Sequence, residues 1–238
     1  TGTNGKSTVA HIAAQAVGEL GETCGYIGTL GAGRLDQLTT IGMTTPDIIT
    51  LNRWLARLRG ENVGFVALEA SSHALDQDRL SGLTLGAGAF TNLGHDHLDY
   101  HGDIEAYAEI KQRLFSHKGL ATAIVNVDDP VGARIASSID PQVDLWTCST
   151  NRSEGKGQAR ITGTEVEALH DGVRFTLRHA NHTASIESTL PGRFNVDNLL
   201  IAAAYLLSLG HAHERICAAL SRVRRVPGRM ELCGTTPA

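Results

Sequence analysis

Cysteine is scarce in this chain and nowhere clustered. Its four cysteines (Cys24, Cys148, Cys217, Cys233) stand far apart and form no CxxC pair. That argues against a disulfide framework and a zinc site, and for a reducing cytosol. Long hydrophobic runs are lacking too: none approaches the roughly 20 residues of a membrane-spanning helix. No excess of basic residues marks a nucleic-acid surface, because the net charge is -4. There are no repeats, no low-complexity tracts and no signal peptide. The chain opens inside a phosphate-binding motif and so reads as cut from something longer. With 42% hydrophobic and 19% charged residues, what is present has the balance of an ordinary soluble globular protein. A length of 238 residues suits one large domain or two small ones.

Strand-like and helix-like stretches alternate through the first 150 or so positions. Ser7 to Leu20 carries apolar residues at helical spacing and stops at Gly21. Cys24 to Ile27 reads as a short strand and Pro46 to Arg59 as a helix. Val63 to Leu68, Leu85 to Phe90 and Ala121 to Val127 have the pattern of buried strands, and Ile104 to Phe115 is helical. This alternation predicts a mostly parallel sheet covered by helices on both faces, with ligands at the carboxyl ends of its strands. Residues 151–158 are polar and read as a loop. Across 159–190, three alternating segments broken at Asp171-Gly172 and Ala180-Asn181 predict a small antiparallel meander. Helices return at Val196 to Leu209 and Glu214 to Val223, and too few residues follow Arg229 for another domain.

Four motifs carry chemistry. Thr1-Gly2-Thr3-Asn4-Gly5-Lys6-Ser7-Thr8 runs into a helix. Backbone N–H groups there would cradle phosphates, Lys6 would reach the terminal ones, and the Ser7 hydroxyl could ligate Mg²⁺. Glu69, in Glu69-Ala70-Ser71-Ser72-His73, ends a strand, where a carboxylate beside such a loop is well placed to hold a metal. Between His95 and His101 lie three histidines and two acids, as expected of metal or phosphate chemistry. His95, His97 and Asp99 also fall one residue short of the H-x-H-x-D-H pattern of dinuclear metallo-hydrolases, since Tyr100 stands where the next histidine should be. Lys111 sits on the Ile104–Phe115 helix, where a lysine is ordinarily a solvated surface residue.

Taken jointly and in order, these strings resemble the Mur ligase family. The resemblance rests on TGTNGKST, TTPD (Thr44 to Asp47), EASSHALDQDR (Glu69 to Arg79), FTNLGHDHLDYHG (Phe90 to Gly102), the Lys111 helix, NVDD (Asn126 to Asp129), LPGRFNVDN (Leu190 to Asn198) and VPGRME (Val226 to Glu231). The TTP, SSHAL and DHLDYHG strings favour the MurE type. The resemblance implies that residues 1–231 form the central ATP-binding domain and 232–238 a linker stub. It also implies a uridine-nucleotide-binding domain before Thr1 and an amino-acid-binding domain after the stub, both outside this chain. Gly2, Thr3, Asn4, Gly5, Lys6, Ser7 and Thr8 would bind the ATP phosphates, Asn195 and Asn198 would lie near adenine, and Arg229 would reach the nucleotide. Ser7 and Glu69 would hold one Mg²⁺. His97 would ligate a second, together with a CO₂-derived carbamate on Lys111, which must first be a neutral amine. Thr44, Thr45, Ser71, Gln77 and Arg79 match positions that contact the muramoyl-dipeptide.

The implied activity is ADP-forming addition of diaminopimelate or lysine to UDP-N-acetylmuramoyl-L-alanyl-D-glutamate through an acyl phosphate, in peptidoglycan synthesis. The expected partners are that nucleotide-linked dipeptide and a free amino acid, with no nucleic acid or membrane. The expected form is a cytoplasmic monomer, with the 238 residues alone inactive. A folylpolyglutamate-synthase-like ligase, a metallo-hydrolase and a nucleotide-dependent switch are the competing readings. The TTP and SSHAL strings speak against the first, Lys6 is unexplained by the second, and no NKxD motif supports a guanine-reading switch.

Overall fold

The computed structural model describes residues 1–151 and 159–230. Most of the loop read at 151–158, together with Glu231, Cys233 and the stub at 232–238, lies outside the described residues.

Gly5 sets the first helix. It adopts φ 84, a left-handed conformation that costs glycine little, and α1 (Lys6–Glu19) starts at the next residue. β1 (Cys24–Gly28) and β2 (Gly31–Arg34) form an antiparallel hairpin. Asp47 caps α2 (Ile48–Gly60), its Oδ1 accepting from the N–H groups of Ile49 and Thr50 at 3.0 Å each. β3 (Phe65–Leu68) pairs parallel with β1 on the side away from β2. After the short α3 (Ser72–Asp76), β4 (Ala87–Phe90) begins a second sheet. α4 (Leu98–His101) and α5 (Ile104–Gln112) follow, then a 3₁₀ turn at Arg113–Ser116. β5 (Thr122–Asn126), α6 (Pro130–Ser138) and β6 (Asp144–Ser149) complete the parallel part. β7 (Ile161–Leu169), β8 (Gly172–His179) and β9 (His182–Ser188) are the meander; α7 (Phe194–Ser208) and α8 (His213–Arg222) close the described chain.

Two sheets result, ordered β2-β1-β3 and β4-β5-β6-β7-β8-β9. The meander is not a separate unit. β7 pairs parallel with β6, Cys148 opposite Ile161 and Ser149 opposite Thr162, so the antiparallel hairpins extend the parallel sheet. The turns fall at His170-Asp171, one residue before the predicted Asp171-Gly172 break, and at Ala180-Asn181, as predicted.

Apolar cores cover both faces. α7 is apolar around most of its circumference, with Leu199, Leu200, Ala202, Ala203, Ala204 and Leu206 fully buried, and it packs with α1 and α8 over Ile124, Trp146, Ile161 and Phe175. On the other face, Leu51 and Leu58 of α2, Ile110 of α5 and Ile135 of α6 enclose Ile27, Phe90 and Val125. The sequence reading passes over β2, β6 and α6, and each has a physical reason. β2 is Gly-Ala-Gly-Arg, with Gly31 at φ 130 and Gly33 at φ 138, and so carries no strand-forming side chains. β6 starts with a charge and ends in small polar residues. α6 is short and holds Gly132, but Asp129 as cap and Pro130 at its first turn were the available signal.

Candidate active site

The phosphate-type loop is pinned from below by residues far along the chain. Thr3 donates its N–H to the Asn92 carbonyl at 2.8 Å, and its hydroxyl accepts the Gly94 N–H at 2.8 Å. Asn4 donates its N–H to Asn92 Oδ1 at 3.0 Å. A Cβ on Gly2 would run into Thr91 Oγ1, and one on Gly5 would come 2.5 Å from Asn198 Oδ1, so glycine is needed at both places. Asn198 is held in turn by Asn195: its Nδ2 donates to Asn195 Oδ1 at 2.9 Å, while Asn195 Nδ2 donates to the Pro191 carbonyl at 2.7 Å. The N-terminal turn of α7 is thereby set against the loop, with both asparagines buried. Lys6 folds back, its Nζ donating to the carbonyls of Gly2 and Thr3 at 2.8 and 2.9 Å. Burial draws the Lys6 pKa below the ordinary lysine value, and the nearby Glu69 carboxylate opposes that. Thr8 is half-buried in the first turn of α1.

Glu69 is the polar hub. It is 2% exposed, and a carboxylate so deep must be fully hydrogen-bonded. Ser7 Oγ donates to Oε2 at 2.9 Å, Thr29 N–H to Oε1 at 2.9 Å, and the Tyr26 hydroxyl also donates to Oε1. A Cβ on Gly28 would collide with this carboxylate. Arg229 brings the far end of the chain to the same spot, its Nη2 donating to Ser7 Oγ at 3.2 Å. Tyr26 and Thr29 are members that the sequence reading does not include. Tyr26 sits inside the Cys24–Ile27 strand and Thr29 in a turn, and neither has a local signature.

Beside the hub lies a second group. Thr45 Oγ1 is 2.6 Å from the Glu69 carbonyl and 3.2 Å from Ser71 Oγ, and Ser71 caps α3. Thr44 Oγ1 is 3.2 Å from Thr29 Oγ1. Arg79 donates to the Thr45 carbonyl at 2.6 Å and, through Nε and Nη2, to Gln77 Oε1 at 3.1 and 2.7 Å. All five residues assigned to the dipeptide by resemblance therefore form one neighbourhood adjoining Glu69.

The third group contains Lys111. It is not a solvated surface lysine but 1% exposed, with Nζ 4.2 Å from the centroid of the Tyr107 ring. Burial, reinforced by the positive charge of Lys6, lowers its pKa to about 7. A buried lysine gives up its proton because desolvation penalises the ammonium. Tyr107 also accepts a contact from the Thr3 hydroxyl at 3.3 Å, stacks on His101 and lies 6.3 Å from the His97 ring, linking the loop, Lys111 and the histidines. His97 is exposed and has φ 57, a left-handed conformation costly for histidine and of a kind concentrated at functional sites. His73, another residue without an assigned role in the sequence reading, lies 5.3 Å from His97 ring to ring.

His95 and Asp99 are exposed like His97, and among the described residues no three His, Cys, Asp or Glu side chains converge as a metal-holding group. Among the described residues the histidine-carboxylate cage that the metallo-hydrolase reading requires is not assembled. Ser7 Oγ and Glu69 Oε2, by contrast, are two adjacent hard oxygens at a helix start, which suits Mg²⁺ completed by water and phosphate. No helix among the described residues is long and apolar enough to cross a membrane.

Comparison with known proteins points to one family. The chain is 43% identical over 237 residues to the UDP-N-acetylmuramoyl-L-alanyl-D-glutamate--2,6-diaminopimelate ligase of Xylella fastidiosa (strain 9a5c), covering 98% of this chain and 47% of that protein. It is 41% identical over 231 residues to the ligase of the same name from Alkalilimnicola ehrlichii, covering 97% and 46%. A solved structure of a ligase of that name superimposes with a TM-score of 0.88 at 32% identity, covering 99% of this chain and 47% of that one. The chain thus spans about half the length of the relatives it matches. The Mur ligase middle domain family matches residues 1–206, and the chain belongs to that family.

Proposed function

We propose that this chain is the ATP-binding body of a cytoplasmic, monomeric ADP-forming ligase that adds diaminopimelate to UDP-N-acetylmuramoyl-L-alanyl-D-glutamate in peptidoglycan synthesis. The observation that carries the proposal is the Ser7–Glu69 pair, 2.9 Å apart at the phosphate-loop helix and flanked by Lys6. Diaminopimelate is preferred to lysine because the relatives are named for it. Residues 1–231 make up the middle domain and 232–238 lead toward a further domain that binds the amino acid, while the uridine nucleotide is held by a domain ahead of Thr1.

The chemistry requires two anions to meet: a carboxylate of the dipeptide and the γ-phosphate of ATP. Backbone N–H groups of Gly2 to Thr8 hold the phosphates, and Lys6 exchanges its carbonyl partners for phosphate oxygens. Mg²⁺ held by Ser7 and Glu69 would neutralise charge on those oxygens, and a second ion would be held by His97 and a carbamate on Lys111. Lys111 is suited to carbamate formation because a sizeable share of its amine is neutral near pH 7, and a neutral amine is what adds to CO₂. Arg79, with Gln77 and the Thr44, Thr45 and Ser71 hydroxyls, orients the dipeptide. Asn195 and Asn198 flank the adenine and Arg229 reaches the phosphates. The carboxylate oxygen bonds to the γ-phosphorus as the bond to ADP breaks. The amine nitrogen then attacks the acyl carbon, loses a proton and expels phosphate. Closure of flanking domains keeps water from the acyl phosphate.

The test is phosphate release from ATP by the full-length protein. Release that requires both the muramoyl-dipeptide and diaminopimelate supports the proposal. Equal release with lysine removes the choice of amino acid, and release without acceptor removes the ligase reading. Ligation by the 238 residues alone would overturn the assignment of the flanking domains.

A further inference from the structure

Ser7, His11 and Gln15 stand four residues apart on α1, so they lie one above another on one face, with about 12 Å of helix between first and last. Each meets a partner from far along the chain. Ser7 meets Glu69 and Arg229. His11 is 8% exposed and sets its ring edge-on to Tyr26, with 5.9 Å between centroids. Gln15 grips the backbone of Arg224 across 209 residues. The Arg224 N–H donates to Gln15 Oε1 at 2.8 Å, and Gln15 Nε2 donates to the Arg224 carbonyl at 3.0 Å. Nε2 also lies 2.8 Å from His11 Nδ1. Burial draws the His11 pKa below its ordinary value, so the ring is neutral and Nδ1 accepts that bond. An amide that donates twice and accepts once has a single orientation, since its flip would set an oxygen against the Arg224 carbonyl.

The segment that carries Arg229 is thereby held at both ends to the same helix face. Val223 and Val226 are buried, but apolar burial is non-directional and does not set register. Arg225 donates to the Thr189 carbonyl at 3.0 Å and so ties the segment to the end of the meander, not to α1. Past Val226 the chain turns sharply. Arg229 donates its N–H to the Val226 carbonyl at 3.0 Å and Gly228 has φ 68, which with Pro227 before it matches a type II turn. Such a turn is stiff, so the place of Arg229 follows from the place of Arg224. Five residues extend at most about 17 Å, and a turn shortens that reach, so little slack remains between Gln15 and Ser7.

We propose that Gln15, oriented by His11, is a positioning residue for Arg229: it holds residues 224–229 in register along α1, so that the guanidinium stands beside Ser7 before nucleotide arrives. The proposal rests on the nucleotide role given to Arg229 above. Gln15 acts through Arg229 rather than on the nucleotide. The phosphate loop and the arginine share one ruler, because Ser7 opens α1 and Gln15 lies two turns further on. Without the clamp, the segment must be ordered at the expense of ATP binding.

Gln15→Met, Arg229→Ala and the double variant, each in the full-length protein, test it. Methionine keeps the length and helix propensity of glutamine but bonds neither Arg224 nor His11. The readouts are Kd for Mg-ATP by calorimetry, and kcat and KM for dipeptide-dependent phosphate release. Gln15→Met is expected to weaken ATP binding about three- to tenfold and to leave KM for the muramoyl-dipeptide unchanged. It should add nothing once Arg229 is alanine. Losses that multiply in the double variant overturn the proposal, as does unchanged ATP binding in Gln15→Met where Arg229→Ala weakens it. Unchanged ATP binding in Arg229→Ala removes the nucleotide role of that arginine and this proposal with it, while the ligase reading stands or falls on whether phosphate release needs the acceptors. Where Gln15→Met does not fold, Gln15→Glu takes its place in the same cycle, since it keeps the bond from the Arg224 N–H and sets a carboxylate oxygen against the Arg224 carbonyl. Failure of both to fold makes the clamp a part of the body's stability and overturns a role specific to Arg229.

Discussion

The meander end and the loop end of this molecule are held by different kinds of contact. In the meander, β7, β8 and β9 pair through hairpins whose partners are neighbours in sequence, such as Leu169 with Gly172 and His179 with His182. Their inward residues, Ile161, Val173, Phe175 and Leu177, are buried against α7. At the loop end, Ser7 meets Glu69 across 62 residues, Thr3 meets Gly94 across 91, and Arg229 meets Ser7 across 222. There the contacts are polar and several groups are buried with little redundancy. One end is stabilised by apolar area. The other is stabilised only as far as its hydrogen bonds are complete, and its order serves ligand binding rather than stability.

Substitutions should separate the two ends cleanly. The largest effect on activity is expected from Glu69→Gln, which keeps the shape but removes the charge. In the full-length protein, kcat/KM for phosphate release should fall on the order of 10²- to 10³-fold while the circular dichroism spectrum is retained. Wild-type turnover in this variant would show that the hub is structural. Leu200→Ala at the body should do the reverse. It opens a cavity at a fully buried position of α7 and should cost about 2–5 kcal/mol in denaturant unfolding, with KM for ATP unchanged where the protein is folded. A changed KM at full folding would mean that α7 transmits its packing to Asn195 and Asn198.

Lys111→Met gives a smaller effect that depends on pH and blurs the division usefully. The native amine loses its proton above about pH 7, whereas the unfolded one holds it to about 10.5. Between these values the unfolded chain binds more protons, so native stability rises as pH rises from 7 toward 10. In CO₂-free buffer the variant should therefore be more stable than wild type by about a few kcal/mol below pH 7, with the difference vanishing near pH 10. A difference independent of pH would show that the buried amine keeps its proton. Smallest of all is Arg174→Ala, on the solvent side of the meander. Arg174 bridges Glu167 and Glu187 at 3.0 and 2.8 Å with all three side chains exposed, and such pairs are screened by water and salt. The melting temperature should not move measurably; a clear drop would mean that this end too depends on polar contacts.

The same division governs what could be read from the sequence. Helices and strands with strong periodicity or clear turn residues are legible: α1 from its spacing and Gly5, the meander from Asp171-Gly172 and Ala180-Asn181. β2, β6 and α6 are not, because their residues are small or mixed and neighbouring strands and helices decide their conformation. At the site, Lys6, Ser7 and Glu69 are legible because their residue types and positions name a chemistry. Tyr26 and Thr29 are not, since any strand tyrosine or turn threonine looks the same until it meets a carboxylate.

The sequence by itself determined the strongly periodic helices and strands, where the phosphate loop lay and which side chains could hold charge. These follow from local periodicity, turn chemistry and residue type, all of which act over a few residues. Only the tertiary structure decided that Lys111 is buried rather than solvated, that Glu69 is the shared partner of Ser7, Tyr26 and Thr29, and that the meander continues the parallel sheet. Each of these depends on surfaces brought together from distant parts of the chain. Burial, dielectric surroundings and strand pairing are properties of that assembly, and no local stretch of residues contains them.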